Sequence, residues 1–146
     1  MKYGELNLGQ VEAIVNKLGG MEGVQRFLRG ELTLKEPDLL KQVETVAVKG
    51  AERFVAKDHL KEANVGWTSD NFQKLFLDKV EESVKDAAIA VHRLERDSLD
   101  APILAELGNR AETKLAYLFE LLEKQSKGEK GTLLTNGYAN IAYIKG

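Results

Sequence analysis

Apolar positions recur at helical spacing in the first thirty residues. Leu8, Val11, Ile14, Val15 and Leu18 fall on one face of a helix, and Asn7 with Gln10 forms a capping-box pattern at its start. Gly19-Gly20 ends that helix. Met21, Val24, Phe27 and Leu28 predict a second one, closed by Gly30. Residues 31–38 read as a connector, because Pro37 blocks helix continuation. Beyond it the pattern changes. Val43, Val46 and Val48, then Phe54-Val55, flank Lys49-Gly50-Ala51-Glu52 and predict a hairpin. Asp70 with Gln73 caps a predicted helix carrying Phe72, Leu75, Phe76 and Val80. Residues 86–95 predict a strand that is partly apolar on both faces, with Ile89 and Val91 on one of them.

The C-terminal third alternates again. Asp100 reads as the cap of a short helix Pro102–Leu107 that stops at Gly108. Asn109 with Glu112 opens the best helical stripe, Ala111, Leu115, Leu118, Phe119 and Leu122, with Glu120 and Lys124 as an i,i+4 pair. Asn136-Gly137 between Leu133–Thr135 and Tyr138–Ile141 predicts a type I′ hairpin. The expected fold is α+β: a small, mostly antiparallel sheet of strands near 43–49, 53–57, 86–95, 131–135 and 138–144. Helices near 70–80 and 109–126 cover it, and a helix-turn-helix-like pair precedes it. Residues 1–146 read as a single domain, with 1–36 a helical-hairpin subdomain and 37–146 the α+β body.

Three segments resemble a family of bacterial proteins of unassigned activity, known chiefly from genome and metagenome sequencing. They are NKLGGMEGVQRFLRGE at Asn16–Glu31, RDSLDAPILAELG at Arg96–Gly108 and TLLTNGYANI at Thr132–Ile141. The resemblance extends over most of the chain and implies no activity. Longer relatives continue past the Ile141–Ile144 strand into tryptophan-rich strands. This chain is therefore expected to be a short or trimmed member, and functions of that extension do not carry over.

Composition narrows the function classes. With 146 residues, 43% hydrophobic and 30% charged, the chain is long enough for one well-buried core. The absence of cysteine excludes a disulfide scaffold and a thiol nucleophile. The net charge is −2, and no segment carries a basic surplus above +2, so nucleic acid is a disfavoured partner. The start lacks a secretory h-region, and the longest apolar run, Ala87–Val91, is far too short to span a membrane. The expected location is the cytoplasm.

Each chemical constellation competes with a structural explanation. In the N-terminal pair, Gln25, Arg26 and Arg29 stand where a DNA-reading helix would carry contacts. Glu22, in the first turn of that helix, would repel phosphate. Gly19–Gly23 matches no phosphate-loop fingerprint and reads as an interhelix turn. His59 and His92 lack ligands at metal-binding spacing, so no metal or cofactor is expected. Asp97, Asp100 and Glu106 could pair for acid–base chemistry, but capping and turn roles explain them first. Glu81, Glu82, Asp86 and Glu95 read as a solvated face. Trp67 is expected to pack near Phe72 and Phe76, and Tyr138 to stand near solvent. The residues favour a non-catalytic interaction module, with a partner or second copy recruited at a C-terminal edge strand. The alternatives are a nucleic-acid-binding protein and a small hydrolase or transferase.

Overall fold

A computed structural model describes residues 2–146. The chain divides into two compact units, Met1–Pro37 and Asp38–Gly146. Its architecture is α+β, with small antiparallel sheets.

The first unit is a helix pair, α1 (Leu8–Lys17) and α2 (Gly20–Leu28). The capping box forms as the sequence predicts: Asn7 Oδ1 accepts the Gln10 amide at 2.8 Å, and Gln10 Oε1 accepts the Asn7 amide at 3.1 Å. Gly19 and Gly20 take positive φ, 92° and 79°, to reverse the chain. Gly23 is buried at the turn, where a Cβ would overlap the Leu18 carbonyl oxygen. Gly23→Ala should therefore loosen this unit by roughly 1–3 kcal/mol. Hydrogen exchange should show amides of residues 8–28 exchanging about 5- to 150-fold faster. Unchanged protection would refute the close contact. The apolar stripes divide in two: Val15, Leu18, Val24 and Phe27 are half-buried, whereas Leu8, Val11, Ile14, Met21 and Leu28 are exposed. Two short helices share only one seam, which cannot cover both stripes.

The second unit is built around a long antiparallel ribbon in two parts. Strand β1 (Leu40–Val48) pairs with β4 (Ala87–Leu94), and β2 (Ala51–Val55) pairs with β3 (Val80–Val84). The expected hairpin over 43–57 does not form. Lys49-Gly50 is not a turn, and β1 and β2 run on as consecutive parts of one strand. Two residues separate the parts on each side, Lys49-Gly50 and Lys85-Asp86, so the register from Val48–Ala87 to Ala51–Val84 is unbroken. At this break Asp86 replaces the ladder. Its Oδ1 accepts the Gly50 amide at 2.8 Å, and its Oδ2 lies 3.2 Å from Lys49 Nζ. The Gly50 amide foremost, then Lys49, holds the Asp86 carboxyl below the usual range. The glycine is needed because the strands approach too closely for a side chain.

Helix α3 (Ala56–His59) follows β2 directly. Next comes α4 (Asp70–Phe72), which widens into a π-helical turn, Gln73–Leu77. The predicted helix 70–80 is thus present but ends early, and its cap is Ser69, whose Oγ accepts the Phe72 amide at 3.2 Å. Strand β3 takes up Val80. Helix α5 (Asp100–Leu107) lies close to its predicted position.

The best-patterned helix starts later than Asn109 predicts. A single 3₁₀ turn, Gly108–Arg110, leads into β5 (Glu112–Thr113), and only then does α6 (Leu115–Lys124) begin. Glu112 and Thr113 are instead drawn into parallel pairing with β6 (Tyr143–Ile144). The C-terminal hairpin is also corrected. Gly137 has φ 91°, but Asn136 does not share the positive φ that a type I′ turn requires. Asn140 takes over the pairing: its Oδ1 accepts the Leu134 amide at 2.8 Å and its Nδ2 donates to the Leu134 carbonyl at 2.9 Å. A side-chain amide in that place leaves 131–142 without strands.

The core gathers Phe54, Ala56, Ala63 and Val84 against Leu115, Ala116 and Phe119 of α6. The Phe54 and Phe119 rings meet edge-on at 5.3 Å. Helix α6 thereby seals β2, β3 and α3, while β1 and β4 extend beyond this cluster.

Candidate interaction surface

Alternation along β1 and β4 determines which backbone groups face outward. At one end the Glu95 amide donates to the Leu39 carbonyl at 2.9 Å, so Glu95 points inward. At the other end, the Lys49 amide donates to Glu120 and the Ala47 carbonyl accepts from Lys124 Nζ, so these two groups point away from β4. In an antiparallel ladder inward and outward residues alternate. Both ends agree that Ala88, Ala90, His92 and Leu94 present their N–H and C=O groups on the outer edge of β4. The register slip between Gln42 and Glu44 lies on β1, so the alternation along β4 is uninterrupted.

The two outer edges differ. That of β1 is shielded at several points. Glu106 accepts the Leu40 amide at 2.7 Å. Lys124 and Glu120 cover Ala47 and Lys49. The bulge at Val43 interrupts the remainder. The outer edge of β4 has no such cover. Among the described residues, no side chain and no third strand hydrogen-bonds to it. The Ala88 and Ala90 side chains are exposed and small, and Ile89 and Val91 on the opposite face are half-buried. Strand β4 contains no proline.

The residues singled out from sequence go elsewhere. Arg26 and Arg29 both engage Glu31, with Nε–O distances of 3.6 and 2.8 Å. The Arg29 hydrogen bond chiefly, with Arg26 adding to it, lowers the Glu31 pKa. A phosphate would have to displace that carboxylate. Gln25 is exposed beside them. His59 Nδ1 lies 2.9 Å from Glu123 Oε1 and stacks on Phe54 at 4.7 Å, joining α3 to α6. His92 sits across from Gln42 on β4.

Asp100 and Glu106 have separate structural partners. Asp100 Oδ1 accepts the Tyr143 hydroxyl at 2.8 Å; burial first, then this bond, raises the Tyr143 pKa. Glu106 holds the start of β1. Trp67 is not in the core: 80% of it is exposed, beside an open cleft of about 330 Å³ that also contains Leu60, Val65, Asp70 and Gln73. Tyr138 is exposed, as expected. No three His, Asp or Glu side chains among the described residues converge to hold a metal ion, and no helix is long and apolar enough to cross a membrane. Glu81, read from sequence as part of a solvated face, is buried at 6% exposure and binds the start of α6.

Sequence reasoning missed the β4 edge. The apolar run Ala87–Val91 was its only signal, and a run of that kind does not tell an edge strand from a central one. Comparison with known protein families, with curated proteins and with solved structures finds no match.

Proposed function

We propose that this chain is a small, soluble, cytoplasmic interaction module without chemistry of its own, which binds an extended segment along the outer edge of β4. The observation that carries this reading is the contrast between the two edges of one ribbon: β1 is shielded by Glu106, Glu120, Lys124 and a bulge, and β4 is left open. Open strand edges template pairing, and natural folds block those they do not use. The partner edge expected at the C-terminal hairpin moves to β4 because residues 131–142 form no strand. Backbone pairing would supply affinity, and the alternating side chains specificity.

Ala90→Pro tests it. The Ala90 amide points away from β1, so proline removes an edge donor without taking a bond from the β1–β4 ladder. Peptides selected by display against the wild-type chain should bind the proline variant at least about tenfold more weakly, the loss of roughly one edge hydrogen bond plus a steric block. Equal binding to both proteins would place the ligand site elsewhere and refute the reading.

A further inference from the structure

We infer that the segment seated on the β4 edge is the β4 strand of a second copy of this chain, paired antiparallel about a two-fold axis at Ala90. The inference rests on the reading of β4 as the binding element and adds the identity and register of its partner. Two identical strands pairing antiparallel, with the axis normal to the sheet, place residue i opposite its own mirror position and keep each face on its side. An axis at Ala90 puts the outward groups in register: Ala90 faces Ala90, and Ala88 faces His92 on both sides. About six backbone hydrogen bonds result, two for each outward pair.

The side chains select this register. Ile89 lies opposite Val91 on the half-buried face, so the two apolar strips become continuous. Just outside β4, Lys85, two residues before its start, lies opposite Glu95, one residue past its end, twice by symmetry. Glu95 already sits 3.1 Å from Arg93 on the same face, and among the described residues no carboxylate lies within 4.0 Å of the Lys85 ammonium. An axis at Ile89 would instead set Lys85 against Arg93, a repulsive pair. An axis at Val91 would set Ile89 against Arg93 and break the apolar strip. The product is a four-stranded sheet in the order β1-β4-β4-β1. Its only outer edges are the shielded ones. A two-stranded ribbon is marginal by itself, and four strands with one apolar face are not.

The test uses the full chain, which contains no native cysteine. Sedimentation velocity across a dilution series should show a dimer that dissociates on dilution, and Ala90→Pro should sediment as a monomer with unchanged circular dichroism. Ala90→Cys should form a cross-chain disulfide on mild oxidation, because opposed Cα atoms in a hydrogen-bonded pair lie about 5.5 Å apart, within disulfide reach. Ala88→Cys should not, since its two copies would be four residues out of step, roughly 13 Å apart. The double variant Ala88→Cys/His92→Cys should cross-link again. The cysteine readout stands even if the proline variant fails to fold. A wild-type monomer at every dilution, a dimer that survives Ala90→Pro, or cross-linking of Ala88→Cys as readily as Ala90→Cys would overturn the inference. A monomer whose display-selected peptides still lose binding in Ala90→Pro would leave the edge reading intact and remove only the second copy. A monomer whose peptides bind both proteins equally would remove both.

Discussion

Glu81→Ala is expected to cost about 3 kcal/mol and to lower the thermal midpoint by roughly 10 °C. The first amides of an α-helix have no partner within the helix. In α6 the residue at the cap position, Lys114, provides no side-chain bond. Glu81 reaches across from β3 instead, its two oxygens accepting the Leu115 and Ala116 amides at 3.0 Å each. A carboxylate at this point also meets the positive end of the helix dipole. Lys79 Nζ stands 3.9 Å away and partly offsets the burial of the charge. Removing the side chain leaves two buried donors unsatisfied in the heart of the core, next to Phe54 and Phe119. Glu81→Gln keeps the volume and one acceptor but turns an NH₂ toward a helix amide, so it should cost about half as much. Glu82→Ala, on the exposed neighbour, should fall within about 0.5 kcal/mol of wild type. Urea and thermal unfolding of the three variants check the order. Equal midpoints for Glu81→Ala and Glu82→Ala would show that α6 does not depend on this carboxylate.

Why Glu81 was read as surface explains much of what the sequence concealed. Local patterns were enough where local bonds decide the structure. The Asn7–Gln10 box, the glycine reversal after Leu18 and the α5 stop at Gly108 all form within a few residues of the signal. The stripe through Leu115 and Phe119 also faces the core as its spacing predicts. Signals failed where a distant partner took over. Val80–Val84 shows apolar residues only at its ends, and its buried glutamate is satisfied by amides more than thirty residues away. Asn109 and Glu112 spell a cap, yet Glu112 pairs with Tyr143 instead. Asn136-Gly137 spells a hairpin, yet the Asn140 side chain occupies the place of a ladder bond. The candidate site was the least legible part. Whether β4 lies at an edge depends on which strands its neighbours choose, and no window of the sequence contains that choice.

Gly50→Ala should be at least as damaging as the loss of Glu81, for a steric reason that its turn-like setting hides. The hairpin expectation places Gly50 in the turn segment Lys49–Glu52. Its φ does not lie in the left-handed region; what it lacks is space. A Cβ there would overlap the Val84 carbonyl oxygen and sit 2.5 Å from the Lys85 carbonyl carbon. Both are backbone atoms, so no rotamer change relieves the overlap. The strands must separate where Asp86 already replaces the ladder, and the Gly50 amide would leave its 2.8 Å bond to that carboxylate. Overpacking of this kind costs about 3 kcal/mol or more. Gly137→Ala is the matched control: its φ is 91° but nothing lies within 4 Å of the added carbon, so only the backbone penalty of about 1–2 kcal/mol remains. Chemical denaturation should therefore place Gly50→Ala well below Gly137→Ala. The reverse order would mean that the ribbon parts do not cross in contact at Gly50, and that the register carried from β1–β4 into β2–β3 is wrong at its central point.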